Sequence, residues 1–310
     1  MNIAIIGTGL IGQAWAIVFA RGGCNVRLWD GDAAALERAS GLIARQIAQL
    51  QAEHLLDDAP AATARITRCS ELAQALQGAD YVQENLPEVL DVKKDIFRKL
   101  DELAAPQTVL ASSTSSIPAS AFTEDLPGRG RCLVAHPVNP PYLVPVVELC
   151  GAPWTDAASM EKARSVMQQI GQKPVTVHKE LEGFVLNRLQ GALLREAFRL
   201  VQNGYVSAED LDATVKDGLG LRWSFMGPFE TIDLNAPQGL TEYCARYGGM
   251  FRSISEEQID TEAWSPELIA ELERQRRELL PSTELLQRRL WRDQRLMALL
   301  RHKRESADEA

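Results

Sequence analysis

Cysteine is sparse and unpatterned in this chain. The five, Cys24, Cys69, Cys132, Cys150 and Cys244, show no spacing that ligates a metal, and an odd number without a framework excludes a disulfide scaffold. Free thiols of this kind point to a reducing cytoplasm. Apolar runs are short: none approaches the roughly 18 to 20 residues needed to span a bilayer, which argues against a membrane protein. Positive charge is in deficit, with 33 Lys and Arg against 42 Asp and Glu and a formal net charge of −9, so a nucleic-acid surface is not expected. No secretory leader is expected either, because an apolar strand begins at residue 2. Internal repeats and low-complexity segments are missing as well. What is there, 45% hydrophobic and 24% charged residues over 310 positions, is a soluble chain with material for two domains.

The most informative stretch is the first thirty residues. Asn2-Ile3-Ala4-Ile5-Ile6 reads as a buried strand and runs into Gly7-Thr8-Gly9-Leu10-Ile11-Gly12, then into the helical pattern Gln13 to Ala20. Gly22-Gly23 stops that helix, and Asn25 to Asp30 reads as a second strand ending in a carboxylate. Two glycines in a loop are weak evidence; the same spacing between strand and helix, with an acid closing the next strand, is the dinucleotide-binding fingerprint. Gly7 permits the tight turn, Gly9 the approach of a pyrophosphate, and Gly12 the packing of helix on strand. The helix start offers unpaired amides and a positive dipole end to the phosphates. Asp30 accepts bonds from ribose hydroxyls and repels a 2′-phosphate, and Gly31-Asp32 supplies no arginine to offset it, so NAD is expected over NADP.

Beyond Asp30, strand and helix patterns alternate: a long helix carrying Leu36, Ala39, Ile43, Ile47 and Leu50, then strands near Ile66, Asp80–Glu84, Thr108–Ser112, Arg131–His136, Val144–Leu149 and Lys173–Val177. Such alternation predicts a Rossmann-type doubly wound α/β domain with a parallel sheet. From about residue 181 the strand signal stops and only helical periodicity remains, with Ser207 and Asp210 as a helix cap. The expected organisation is a nucleotide-binding domain over 1–180 and a smaller all-helical domain over 181–310, which closes on substrate and dimerises.

Two further clusters carry chemistry. Ser112-Ser113-Thr114-Ser115-Ser116 follows a parallel strand, where such sheets bind ligands. Ala135-His136-Pro137-Val138-Asn139-Pro140-Pro141 sets a histidine at a strand end, and Glu148 lies further along. A lone histidine is ordinarily a core residue; of the four here, only His136 sits at a strand end facing the presumed crevice.

These clusters, with Gly183-Phe184-Val185-Leu186-Asn187-Arg188, Asp212 ahead of Gly218-Leu219-Gly220, and Gly227-Pro228-Phe229-Glu230, resemble the 3-hydroxyacyl-CoA dehydrogenase superfamily over nearly the whole chain. Within it the likeness is to the lambda-crystallin and L-gulonate 3-dehydrogenase branch. The resemblance implies His136 as general base, Glu148 as the group orienting its imidazole, and Ser115 and Asn187 at the substrate hydroxyl or nicotinamide. It places Leu10, Ile11, Asp30, Glu88 and Lys93 at the cofactor. Oxidising a secondary alcohol needs little more than one base and a positioned hydride acceptor, and histidine suits the task near neutral pH. Asp233-Leu234-Asn235-Ala236 departs from the family's Asp-x-x-Gly, and Arg222-Trp223 follows the glycine pair where CoA-ester enzymes are apolar and shorter. Arg222 is therefore a candidate for binding a substrate carboxylate. The implied function is NAD-dependent oxidation of a small free 3-hydroxy acid, L-gulonate first, by a homodimer. L-carnitine or 3-hydroxybutyryl-CoA are the alternative substrates, and a non-catalytic crystallin-like NAD-binding protein is the alternative of another class.

Overall fold

The computed structural model describes residues 1–258 and 264–307. It divides into two compact units, Met1–Arg188 with Leu290–Ala310, and Leu189–Arg289. The first unit holds strands β1 (Asn2–Ile6), β2 (Asn25–Trp29), β3 (Ile66–Arg68), β4 (Tyr81–Glu84), β5 (Val109–Ser112), β6 (Cys132–Pro137), β7 (Val146–Gly151) and β8 (Lys173–Val177). They lie side by side as β3-β2-β1-β4-β5-β6-β7-β8, the order of a doubly wound sheet that reverses direction beside β1. Between them run α1 (Leu10–Arg21), α2 (Ala33–Ala52), α3 (Ala59–Ala64), α4 (Leu72–Leu76), α5 (Leu90–Leu103), α6 (Ser120–Thr123) and α7 (Ala157–Gln169).

Strand residues alternate faces, so a strand buried on both sides must be apolar throughout. In β1, Ile3 and Ile5 join the core cluster built with α1, α2 and α7, whereas Ala4 and Ile6 join the cluster built with α4 and α5. The sheet is parallel except at one seam: β6 pairs antiparallel with β7. The uniformly parallel sheet expected from the sequence fails there for a reason of length. The stretch 138–145 is a short return, and a parallel crossover needs about a dozen residues or more.

The remaining helices are α8 (Phe184–Gln202), α9 (Ala208–Ala213), α10 (Gly220–Trp223), α11 (Pro228–Asp233), α12 (Leu240–Glu257), α13 (Pro266–Leu279) and α14 (Leu285–Ala307). The Ser207 hydroxyl accepts from the Asp210 amide at 3.1 Å and caps α9, as its sequence predicts. The range 181–310 drawn from sequence is all-helical where described; its residues 259–263 and 308–310 lie outside the described residues. The compact units part at Arg188, and the chain from Leu290 onward returns to the first unit. Met297 explains the return: it is wholly buried in the cluster of α1 and α2, with Leu296 and Leu300 packed against it. Arg301 adds an ion pair to Glu53 at 3.7 Å. Among the described residues no helix is long and apolar enough to cross a membrane.

Candidate active site

The turn from β1 into α1 separates two kinds of glycine. Gly7 has φ +89°, and a Cβ there would meet the backbone of Asn85 at 3.0 Å; a Cβ on Gly12 would lie 1.9 Å from the Gly7 carbonyl oxygen. Both are glycine because the fold demands it. Gly9 has an ordinary φ of −63°, and a Cβ there would meet nothing within 4 Å. In fingerprint turns of this kind such a space is the one a pyrophosphate takes. Gly9 is also the N-cap of α1, with no side-chain cap and no acidic residue in the first turn. The amides of Leu10 and Ile11 are thus presented to an anion. At the end of β2, the Asp30 carboxylate accepts from the Thr8 amide (2.7 Å), the Thr8 hydroxyl (2.8 Å) and the Asp32 amide (2.9 Å). Held this way it keeps lone pairs for ribose hydroxyls. Open glycine, uncapped helix and fixed carboxylate together fit NAD.

A buried network at the ends of β4 and β5 supports the next two loops. Glu84 takes hydrogen bonds from Lys93 Nζ (2.8 and 2.9 Å), the Ser112 hydroxyl (2.6 Å) and the Leu86 amide (2.6 Å), and Lys93 also donates to the Leu86 carbonyl (2.9 Å). Lys93 is 1% exposed, and its ammonium grips the 85–88 loop through Glu84 and the Leu86 carbonyl. Glu88 lies in that loop and accepts from the Thr114 hydroxyl, the Ser115 amide, and the amide and hydroxyl of Ser116, at 2.6 to 3.0 Å. Burial pushes the Glu88 carboxyl up, but these hydrogen bonds outweigh it and bring it down to about 2. Sequence reading singled out the serine run but missed Glu84 and the bonds that Ser112 and Ser113 make, the Ser113 hydroxyl receiving Trp15 Nε1 (3.0 Å) and Gln83 Nε2 (2.7 Å). The available signal was Gln83-Glu84, two polar residues inside an otherwise apolar strand.

The antiparallel seam sets His136 directly opposite Glu148. Glu148 Oε2 lies 2.8 Å from His136 Nδ1, while Oε1 accepts from the amides of Val185 (2.8 Å) and Leu186 (2.9 Å) at the start of α8. Both side chains are nearly sealed, at 5% and 2% exposure. Burial alone would raise the Glu148 carboxyl; the bond to His136 and the Leu186 and Val185 amides reverse that, and its pKa is lowered. Gly183 (φ +74°) and Phe184 (φ +47°) turn the chain so that these amides face the carboxylate, and the Phe184 ring lies 5.5 Å from the imidazole. Asn187, in the first turn of α8, donates to the Ser115 carbonyl at 3.3 Å. The first unit therefore brings His136, Glu148, Ser115 and Asn187 into one connected constellation. His54, His178 and His302 are exposed. Arg222 lies in α10 of the second unit, half-buried, and its guanidinium makes no ion pair among the described residues.

Residues 2–181 match the model of the 3-hydroxyacyl-CoA dehydrogenase NAD binding domain and residues 183–276 that of the 3-hydroxyacyl-CoA dehydrogenase C-terminal domain. The chain is 39% identical to lambda-crystallin of Oryctolagus cuniculus, over 98% of this chain and 97% of that protein. It is 39% identical to L-carnitine dehydrogenase of Streptomyces griseus, over 77% of this chain and 70% of the relative. Among solved structures, an NAD+-dependent dismutase, 5-formyl-3-hydroxy-2-methylpyridine 4-carboxylic acid 5-dehydrogenase, superposes with a TM-score of 0.82 at 29% identity, covering 98% and 97% of the two chains.

The two classes of glycine give opposite outcomes on substitution. Gly9→Ala leaves thermal stability near wild type and weakens NAD binding, read by calorimetry, by at least about 10-fold as the methyl meets the pyrophosphate. Gly12→Ala lowers the melting temperature whether or not NAD is present. A Gly9→Ala protein that binds NAD normally contradicts this placement of the cofactor.

Proposed function

The chain belongs to the 3-hydroxyacyl-CoA dehydrogenase family and is an NAD-dependent dehydrogenase acting on CH–OH groups; from that premise we propose that it oxidises the 3-hydroxyl of a small free hydroxy acid of the L-gulonate type, with His136 as general base. One observation carries this reading: the short bond between His136 Nδ1 and Glu148. An ionised carboxylate only accepts, so the Nδ1 of a neutral imidazole carries its proton. The lone pair is then on Nε2, available to the substrate hydroxyl. Bound NAD supplies the acceptor for the hydride that leaves the same carbon. Ser115, whose hydroxyl makes no hydrogen bond among the described residues, and Asn187 are assigned to the hydroxyl and the nicotinamide. Gly7, Gly9, Leu10, Ile11, Gly12 and Asp30 are assigned to the cofactor.

A free acid brings a carboxylate close to its reacting carbon, and burying that charge unpaired is costly. A guanidinium meets a carboxylate with two parallel hydrogen bonds. Arg222, unengaged by any acid among the described residues, is assigned that task. The names of the relatives support a small substrate: one is an L-carnitine dehydrogenase, and the dismutase acts on a pyridine carboxylic acid. Intact His136, Glu148, Ser115 and Asn187 argue against a purely structural, crystallin-like role. Leu189 and Leu193 of α8 and Met250 and Phe251 of α12 are exposed apolar residues, and we assign them to the interface of a homodimer. The five cysteines are free thiols, four of them buried, in keeping with a cytoplasmic location.

Reduced-cofactor absorbance with L-gulonate, L-carnitine and 3-hydroxybutyryl-CoA tests the substrate class directly. Turnover of the hydroxy acid is expected to fall by roughly two to four orders of magnitude in His136→Ala, with NAD binding retained; near-normal turnover would demote His136 to a core residue.

Arg222→Met should raise the Michaelis constant for hydroxy acids by ~10-fold or more, the scale of a lost charged hydrogen bond, with NAD affinity unchanged. A variant that binds its acid normally, or a wild type that prefers the CoA thioester, returns the substrate to the acyl-CoA branch.

A further inference from the structure

We propose that Gln83, oriented by the Ser113 hydroxyl, is a positioning residue for His136. The inference rests on the assignment of His136 as general base. It starts where the ladder between two strands ends. Ser112 and Val134 are the last register pair of β5 and β6, so Ala135 and His136 run on without a β5 partner. The Gln83 side chain reaches from β4 past β5 and takes up the free edge: its Nε2 donates to the Ala135 carbonyl at 3.2 Å. That carbonyl belongs to the peptide unit whose nitrogen is that of His136. A peptide unit is planar and stiff, so holding its oxygen sets the backbone from which the imidazole projects. Pairing with β7 holds His136 from the other side. A glutamine in a wholly buried strand costs solvation that an apolar residue of similar size would not; what it gains here is the hold on Ala135.

The orientation of the Gln83 amide is fixed by its partners. A carbonyl only accepts, so the amide nitrogen must face Ala135. Nε2 gives its second hydrogen to the Ser113 hydroxyl at 2.7 Å, and Oε1 accepts from the Tyr81 hydroxyl at 3.0 Å. The Ser113 hydroxyl is as fully used. It accepts from Trp15 Nε1 (3.0 Å) as well as from Gln83, and it donates to Asn85 Oδ1 (2.7 Å). Asn85 Nδ2 in turn donates to the Gln83 carbonyl (2.8 Å) and to the carbonyl of Ile6 (3.3 Å), the residue before the Gly7 turn. Trp15, Phe19 and Tyr81 form a row of wholly buried rings, the first pair 5.5 Å apart and the second 5.9 Å. In such surroundings a hydrogen bond is strong and an unmade one expensive. The network therefore ties α1, the serine loop and the end of β1 to the peptide that carries His136.

A positioning residue and a merely structural one fail differently. With the substrate that the wild type turns over fastest among L-gulonate, L-carnitine and 3-hydroxybutyryl-CoA, Gln83→Met should lower kcat by roughly 10- to 100-fold, the span for displacing a reacting group by about an ångström. The KM for that substrate and the dissociation constant for NADH, by calorimetry, should stay near wild type. In a His136→Ala background the same change should cost nothing further, because the group it positions is gone. Tyr81→Phe takes a bond from the same amide and leaves its hold on Ala135. It should lower the melting temperature with kcat near wild type, which separates lost stability from lost position. Ser113→Ala is the milder variant and carries the test should Gln83→Met fail to fold: a smaller loss of kcat, again absent in the His136→Ala background. A kcat loss in Tyr81→Phe as large as in Gln83→Met, or an equal Gln83→Met cost with and without the His136 imidazole, overturns the proposal. A costly His136→Ala beside a silent Gln83→Met or a silent Ser113→Ala overturns it alone; a silent His136→Ala overturns the assignment of the base and the proposal with it.

Discussion

One carboxylate, that of Glu148, ties the buried His136 to the helix that follows the sheet. With one oxygen it holds His136 Nδ1 and with the other the first free amides of α8. A buried carboxylate is tolerated only when its lone pairs are taken, and here two backbone amides and an imidazole take them. Because these donors lower its pKa against the upward push of burial, the folded value lies below the unfolded one. The stabilisation is present above the unfolded value, near 4.5, and is lost as pH falls through the folded value. The same bonds set both the tautomer of His136 and the position of Asn187, one residue past the second amide.

The seam between β6 and β7 makes that bridge possible. Antiparallel pairing places residues of two adjoining strands face to face, and register sets His136 against Glu148. The left-handed pair Gly183-Phe184 then reverses the chain and aims the α8 amides inward. A β-carbon in that conformation is a local cost, and in return the Phe184 ring walls the imidazole. Strand direction, backbone conformation and a single acid thus converge on one nitrogen.

Much of this was legible in the residues. The glycine spacing, the acid after β2 and the strand and helix alternation rest on local rules, and the structure follows them: Gly7 and Gly12 are sterically obligatory and Asp30 directly follows β2. The direction of β7 was less visible, since an apolar strand reads the same either way and only the length of stretch 138–145 betrays it. The return of α14 to the first unit was invisible, because periodicity shows that Met297 has an apolar face to bury and not which core receives it. The ion pair of Lys93 with Glu84 was hidden for a related reason: Glu84 lies on a strand, nine positions away, and no helical or strand periodicity links the two. Glu88 and Ser115 meet across two loops, where sequence distance carries no geometric information.

The account depends on which imidazole nitrogen of His136 bears the proton, and nitrogen NMR of protein labelled in its histidine side chains reads that directly. The predicted result, at a pH where the ring is neutral, is a protonated Nδ1 with a deshielded proton shared with Glu148, and an unprotonated Nε2. A proton resident on Nε2 in the wild-type enzyme would contradict it, since the nitrogen left to act as base would then be the one facing Glu148.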